Sequence, residues 1–142
     1  MPEVDLQTYV RAWRERFETA EKAREGRAAA ARATLPVLVR HLVEGYGVRR
    51  VWVFGSLVEG GFHEYSDIDM AAEGLPPGAA LFRAAAELDD LARPFRVDLV
   101  PIEEARPAVR ERILTRGELI HEPEGMLPVV NSPRMGVCGY TG

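Results

Sequence analysis

Three of the chain's six aspartates, Asp67, Asp69 and Asp98, fall inside short apolar runs that read as β-strands. Aspartate is depleted in strands, because its carboxylate competes for backbone hydrogen bonds and is costly to bury. Two in one strand therefore need a reason. In Asp67-Ile68-Asp69-Met70 the acids are two apart. An extended backbone points both to one face, about 6.6 Å apart at about 3.3 Å per residue. Carboxylates so placed repel unless a cation or a proton lies between them. Ile68 and Met70 take the other face, which suits a core. Carboxylate oxygens suit Mg2+, which keeps waters and takes substrate phosphates as further ligands. Asp98, in Phe95-Arg96-Val97-Asp98-Leu99-Val100, joins the pair if its strand lies beside theirs. Three acids would then hold two ions about 3.5–4 Å apart, one at an attacking hydroxyl and one at a triphosphate. The plainer alternatives are solvated acids at a strand edge and, for Asp98, a salt bridge to Arg96.

Gly55-Ser56 comes directly after the apolar run Val51-Trp52-Val53-Phe54 and opens a turn. Glycine lets a backbone approach a phosphate closely, and the free N–H groups of a turn attract an anion. Serine adds a hydroxyl, which also serves as a plain cap of the turn. A Gly-Ser pair alone carries little information, and its weight comes from its distance to the acids.

These groups need strands to hold them and helices to cover the strands. Leu6, Val10, Trp13 and Phe17 form one helical stripe, and Leu35, Leu38, Val39, Leu42 and Val43 a second. Gly26 and Pro36 interrupt the pattern, which predicts two helices or one kinked helix, stopped by Gly45 and Gly47. The Trp13 and Phe17 stripe is expected to pack on the domain's own sheet or second helix, with a docking face for a partner as the alternative. Strands are predicted over 51–54, 67–72 and 96–100, a helical turn over 56–60, and helices over 79–93 and 107–116. An edge strand over 119–121 closes the order. Asp89-Asp90 and His41 read as helix-surface groups, and His63 as an exposed loop residue. The outcome is an α/β (α+β) domain, a small mixed sheet with helices mainly on one side. We divide it into an N-terminal helical segment (1–47), a core (48–121) and an irregular, aperiodic tail (122–142).

Gly55-Ser56, ten intervening residues and then Asp67-Ile68-Asp69 resemble the Gly-Ser-x10-Asp-x-Asp signature of the minimal nucleotidyltransferases, within the DNA polymerase β-like superfamily. Ser66 and the third-acid strand Val97-Asp98-Leu99-Val100 fit the same pattern, and the similarity runs from about Val48 to His121. The resemblance implies a polymerase β-like fold behind an N-terminal helical extension. It also implies two Mg2+ ions on Asp67, Asp69 and Asp98, Gly55 and Ser56 at the triphosphate, and ATP as substrate. Members of this family often serve as antitoxins of the MntA type, which adenylylate a HEPN-type partner protein. One stretch departs from the pattern. Many members carry Arg shortly after Gly-Ser, whereas Leu57-Val58-Glu59 stands here. An inward Glu59 would repel phosphate, and Arg49, Arg50 and Arg96 are the candidates to supply the missing charge. The second reading is accordingly a weakly active or inactive module that neutralises its partner by occlusion.

Composition narrows the remaining classes. The net charge of −4 disfavours direct nucleic-acid binding, which usually shows a basic surface. A lone cysteine, Cys138, builds neither a disulfide framework nor a Cys-rich zinc site and fits a reducing cytoplasm. The acidic start Met1-Pro2-Glu3-Val4-Asp5 has no apolar h-region, and no apolar run approaches the roughly 18–20 residues of a membrane span. The length leaves little room for an acceptor-binding domain, so the acceptor hydroxyl, a protein Tyr or another, is expected to arrive on a partner. The spacing Arg116-x4-His121 resembles a HEPN ribonuclease motif. It lacks the Tyr two residues on, where Pro123 sits, and reads as coincidence.

Overall fold

The computed structural model describes residues 5–123. Four strands form one sheet in the order β3-β2-β1-β4. β1 (Arg50–Phe54) runs antiparallel to both β2 (Ile68–Glu73) and β4 (Glu118–His121), and β2 runs parallel to β3 (Val97–Pro101). A parallel pair needs a crossover, and α3 (Ala79–Leu91) supplies it. β4 is an edge strand, as its position after Gly117 suggested.

Side-chain alternation divides the sheet into two faces. Val51, Val53, Ile68, Met70, Ala72, Val97 and Leu99 enter the main core with Leu35, Leu38 and Leu42 of α1 (Leu6–Tyr46) and Ala84 and Leu88 of α3. Trp52 and Ala71 take the opposite face. There they meet Ile102, in a short 3-10 turn (Ile102–Glu104), and Ile113 of α4 (Pro107–Arg116). Helices thus cover both faces, with α1 and α3 on the larger core and α4 alone on the smaller.

Of the two forms expected for α1, two helices or one kinked helix, the structure has one helix, which runs through both Gly26 and Pro36. Pro36 removes one backbone donor. Ala31, Leu35, Leu38 and Leu42, spaced by four, three and four, are buried along one face across that point and hold the helix in place. Asp5 caps the start, accepting from Gln7 N (3.1 Å) and Thr8 Oγ1 (2.9 Å). Gly45 lies inside the helix, and Gly47 ends it with a left-handed φ of 71°.

The apolar stripe at the start of α1 does not pack on the sheet. Leu6, Val10, Trp13 and Phe17 are 72%, 45%, 58% and 57% exposed, and fully buried residues begin at Ala31. His41 is structural: Glu87 Oε1 lies 2.8 Å from its Nε2 and accepts from Tyr46 Oη at 2.7 Å, tying α1 to α3. Asp89 is also more than a solvated acid, since its Oδ1 accepts from Val97 N (2.8 Å) and fixes the start of β3. The predicted irregular tail lies outside the described residues from 124 onward.

Candidate active site

β2 and β3 bring two of the acids side by side. In the parallel ladder Asp69 is the register partner of Asp98, and across the antiparallel ladder Asp69 faces Phe54. Ile68, Met70, Val97 and Leu99 belong to the main core, so Asp69 and Asp98 occupy the other face. Asp67 lies one residue before the first residue of β2, not within the strand. Asp67 and Asp98 are exposed and Asp69 is half-buried. None of the three carboxylates has a hydrogen bond or an ion pair among the described residues, so the suggested Asp98–Arg96 bridge is not formed.

Their mutual effect is electrostatic. Burial pushes the Asp69 carboxyl up to about 6, the Asp98 and Asp67 charges push in the same direction, and Arg112 opposes them. The acids do not form a closed cage. Among the described residues no three His, Cys, Asp or Glu side chains are gathered tightly enough to hold a metal ion by themselves. They form an open acidic rim. Its oxygen donors, each lacking a protein partner among those residues, fit an ion such as Mg2+ that takes further ligands from water and phosphate.

The Gly55-Ser56 bend lies against this rim. A Cβ at Gly55 would sit 2.1 Å from Asp69 Oδ2, and the residue has φ 76° and ψ −150°. Glycine is therefore required twice, by the backbone and by the carboxylate behind it. Spacing alone pointed only to close approach of a phosphate. α2 (Ser56–Glu59) starts here with no side-chain cap, so the first N–H groups of the turn are left for another acceptor. The loop between bend and acids is fixed by its own contacts. His63 N donates to Ser66 Oγ (3.0 Å) and Tyr65 N to His63 Nδ1 (3.2 Å).

Of the three candidate cations, Arg96 adjoins the acids, since its carbonyl accepts from Ile68 N (2.8 Å), and the other two lie elsewhere. Arg50 Nη1 meets Glu73 Oε1 at 2.6 Å and Arg49 Nε lies 3.7 Å from it, at the end of β1 and β2 remote from Asp69. Sequence reasoning missed the cations that reach the turn after the bend: Arg32, whose Nη2 donates to Leu57 O (3.4 Å), and Arg112 and Arg116 of α4. Arg112 Nη2 lies 3.2 Å from Glu59 Oε2, and Arg116 Nη1 lies 3.5 Å from Glu59 Oε1. Glu59, whose charge alone would repel phosphate, is thus countered by two guanidiniums. The one sequence signal for them is the four-residue spacing, which puts both on one face of a helix.

The sequence pattern of the family described as polymerase beta, nucleotidyltransferase matches residues 39–124. No curated protein matches the chain. Solved structures share the fold. A toxin-antitoxin with AMP-PNP is 24% identical at a TM-score of 0.54, covering 61% of this chain and 73% of that one. A toxin-antitoxin MntA-HepT structure is 20% identical at 0.52, covering 65% and 73%. A Shewanella oneidensis complex of a tri-AMPylated HEPN toxin with an MNT antitoxin is 21% identical at 0.52, covering 66% and 73%.

Proposed function

The chain belongs to the polymerase beta nucleotidyltransferase family, and on that footing we propose that it is a Mg2+-dependent adenylyltransferase acting on a hydroxyl of a HEPN-type partner protein, as the antitoxin of a toxin-antitoxin pair. The observation that carries this reading is the pairing of Asp69 with Asp98 on one sheet face, with Gly55 pressed against Asp69. Structures of the same fold described as toxin-antitoxin complexes, one with AMP-PNP and one with an AMPylated toxin, support the choice of nucleotide and partner.

Asp67, Asp69 and Asp98 would hold Mg2+, which when bound offsets phosphate charge and acidifies an acceptor hydroxyl. The backbone N–H groups at Gly55 and Ser56 receive the outer phosphates. The acceptor oxygen bonds to the α-phosphorus of ATP, and the bond from that phosphorus to the β-bridging oxygen breaks. Pyrophosphate leaves with the electron pair. Asp98, exposed at the rim, takes the hydroxyl proton and passes it to water.

The rival reading, occlusion without chemistry, drew on Glu59, whose charge Arg112 and Arg116 counter. The test is transfer of label from α-32P-ATP with Mg2+ to a co-purified partner. Asp67→Asn and Asp69→Asn should each lower the rate by about 100-fold or more. Transfer that persists in both variants, or no transfer by the wild type, defeats the enzymatic reading. Variants that still silence the partner in cells would favour occlusion.

A further inference from the structure

The turn that starts at Gly55 ends at Glu59, and Glu59 reaches across to α4. One carboxylate there serves two guanidiniums. Its Oε2 accepts from Arg112 Nε (3.3 Å) and lies 3.2 Å from Arg112 Nη2, and its Oε1 is 3.5 Å from Arg116 Nη1. The charges do not balance, with two cations on one anion. Each guanidinium carries five N–H donors, and among the described residues Glu59 is the only hydrogen-bonding or ion-pairing partner of either. Most of those donors face solvent, since the Arg112 and Arg116 side chains are 58% and 67% exposed while Glu59 is 27% exposed.

The location gives the spare donors a use. Arg112 is close enough to the acidic rim to oppose the upward push on Asp69. It thus bonds the far end of the α2 turn while its charge is felt at that rim. α4 is fixed there by Ile113, buried in the smaller core, and by Gly117, where an added Cβ would lie 2.4 Å from Ile113 O and 3.3 Å from Val53 O. Elsewhere on α4, Arg110 is occupied in bonding the carbonyls of Ile102 (3.1 Å) and Glu103 (2.8 Å).

We propose that Arg112 and Arg116, aligned by Glu59, form a polyphosphate-binding arm on α4 that grips the β- and γ-phosphates of the nucleotide and the pyrophosphate that leaves. Arg112 and Arg116 are binding residues, and Glu59 is a positioning residue. This inference rests on the nucleotidyltransferase reading and deepens it. A guanidinium suits the task because its planar fork meets two phosphate oxygens at once.

Calorimetric titration of the full chain, without any acceptor, tests the arm with three probes: Mg-ATP, Mg-pyrophosphate and AMP. Arg112→Ala should bind Mg-ATP and Mg-pyrophosphate about 10-fold more weakly, with Arg116→Ala in the same direction and AMP binding unchanged. Arg112→Lys, which keeps the charge and the stem, should recover part of the loss, and it covers the case in which the alanine variant fails to fold. Equal binding of Mg-ATP and Mg-pyrophosphate by wild type and both Arg112 variants overturns the arm while leaving the enzymatic reading standing. Equal losses for all three probes, AMP included, would show a structural role and overturn it too. A wild type that binds none of the probes removes the nucleotide reading itself.

Discussion

Burial and the carboxylates of Asp98 and Asp67 hold the Asp69 carboxyl at about 6, against an ordinary value of 3.8. The folded chain therefore binds this proton more tightly than the unfolded chain does. The resulting stability is fully present below about pH 4 and is lost as pH rises through 6. Asparagine at 69 cannot ionise and escapes this loss. Asp69→Asn, without added metal, should match the wild type in thermal midpoint near pH 4 and exceed it at pH 7. The gap should be about 1 kcal/mol after discounting for solvent screening, or roughly 4 °C. Saturating Mg2+ should narrow that gap by stabilising the wild type. A midpoint difference that is the same at both pH values would refute the assignment of charge strain to Asp69.

At the scale of elements, the strands were readable because alternation of apolar and polar residues is a local signal. Ile68 and Met70 face the main core while Asp69 turns away, as their spacing requires. Asp69 and Asp98 stood out because aspartate between apolar strand residues is costly without a task, and Asp67, just before β2, stood out only through its spacing to Asp69. The helices were less readable. Gly26 and Pro36 carry local signals of a break, yet the helix runs through both, and burial of Leu35 and Leu38 on either side of Pro36 overrides the second. The partners of Asp89 and Arg112 gave no signal, because the first acts through a strand eight residues on and the second through a turn more than fifty residues back. Asp89 carries a prediction of its own. Asp89→Ala leaves the N–H of Val97, a buried residue, without its acceptor and should lower stability by about 1–2 kcal/mol. Amide exchange at Val97 and Asp98 should quicken in the native state. Unchanged exchange there would mean that β3 is held by other contacts.

Seen as a whole, the molecule is a two-faced sheet with one long helix that outruns it. Residues 6–27 of α1, about 33 Å of helix at 1.5 Å per residue, are almost entirely exposed. Trp13 and Phe17 contribute nothing to the described core, so replacing both with Ser should shift the thermal midpoint by no more than about 1 °C. A clearly lower melting temperature would show that the stripe is covered within the chain's own fold. The continuity of α1 through Pro36 has a geometric consequence. A jointed arm would let cargo swing, and then any hydroxyl on it could find the acidic rim. A continuous one would behave as a ruler: a protein that gripped its far end would be set at a fixed span from the chemistry, and only a group at the matching offset on it would come within reach.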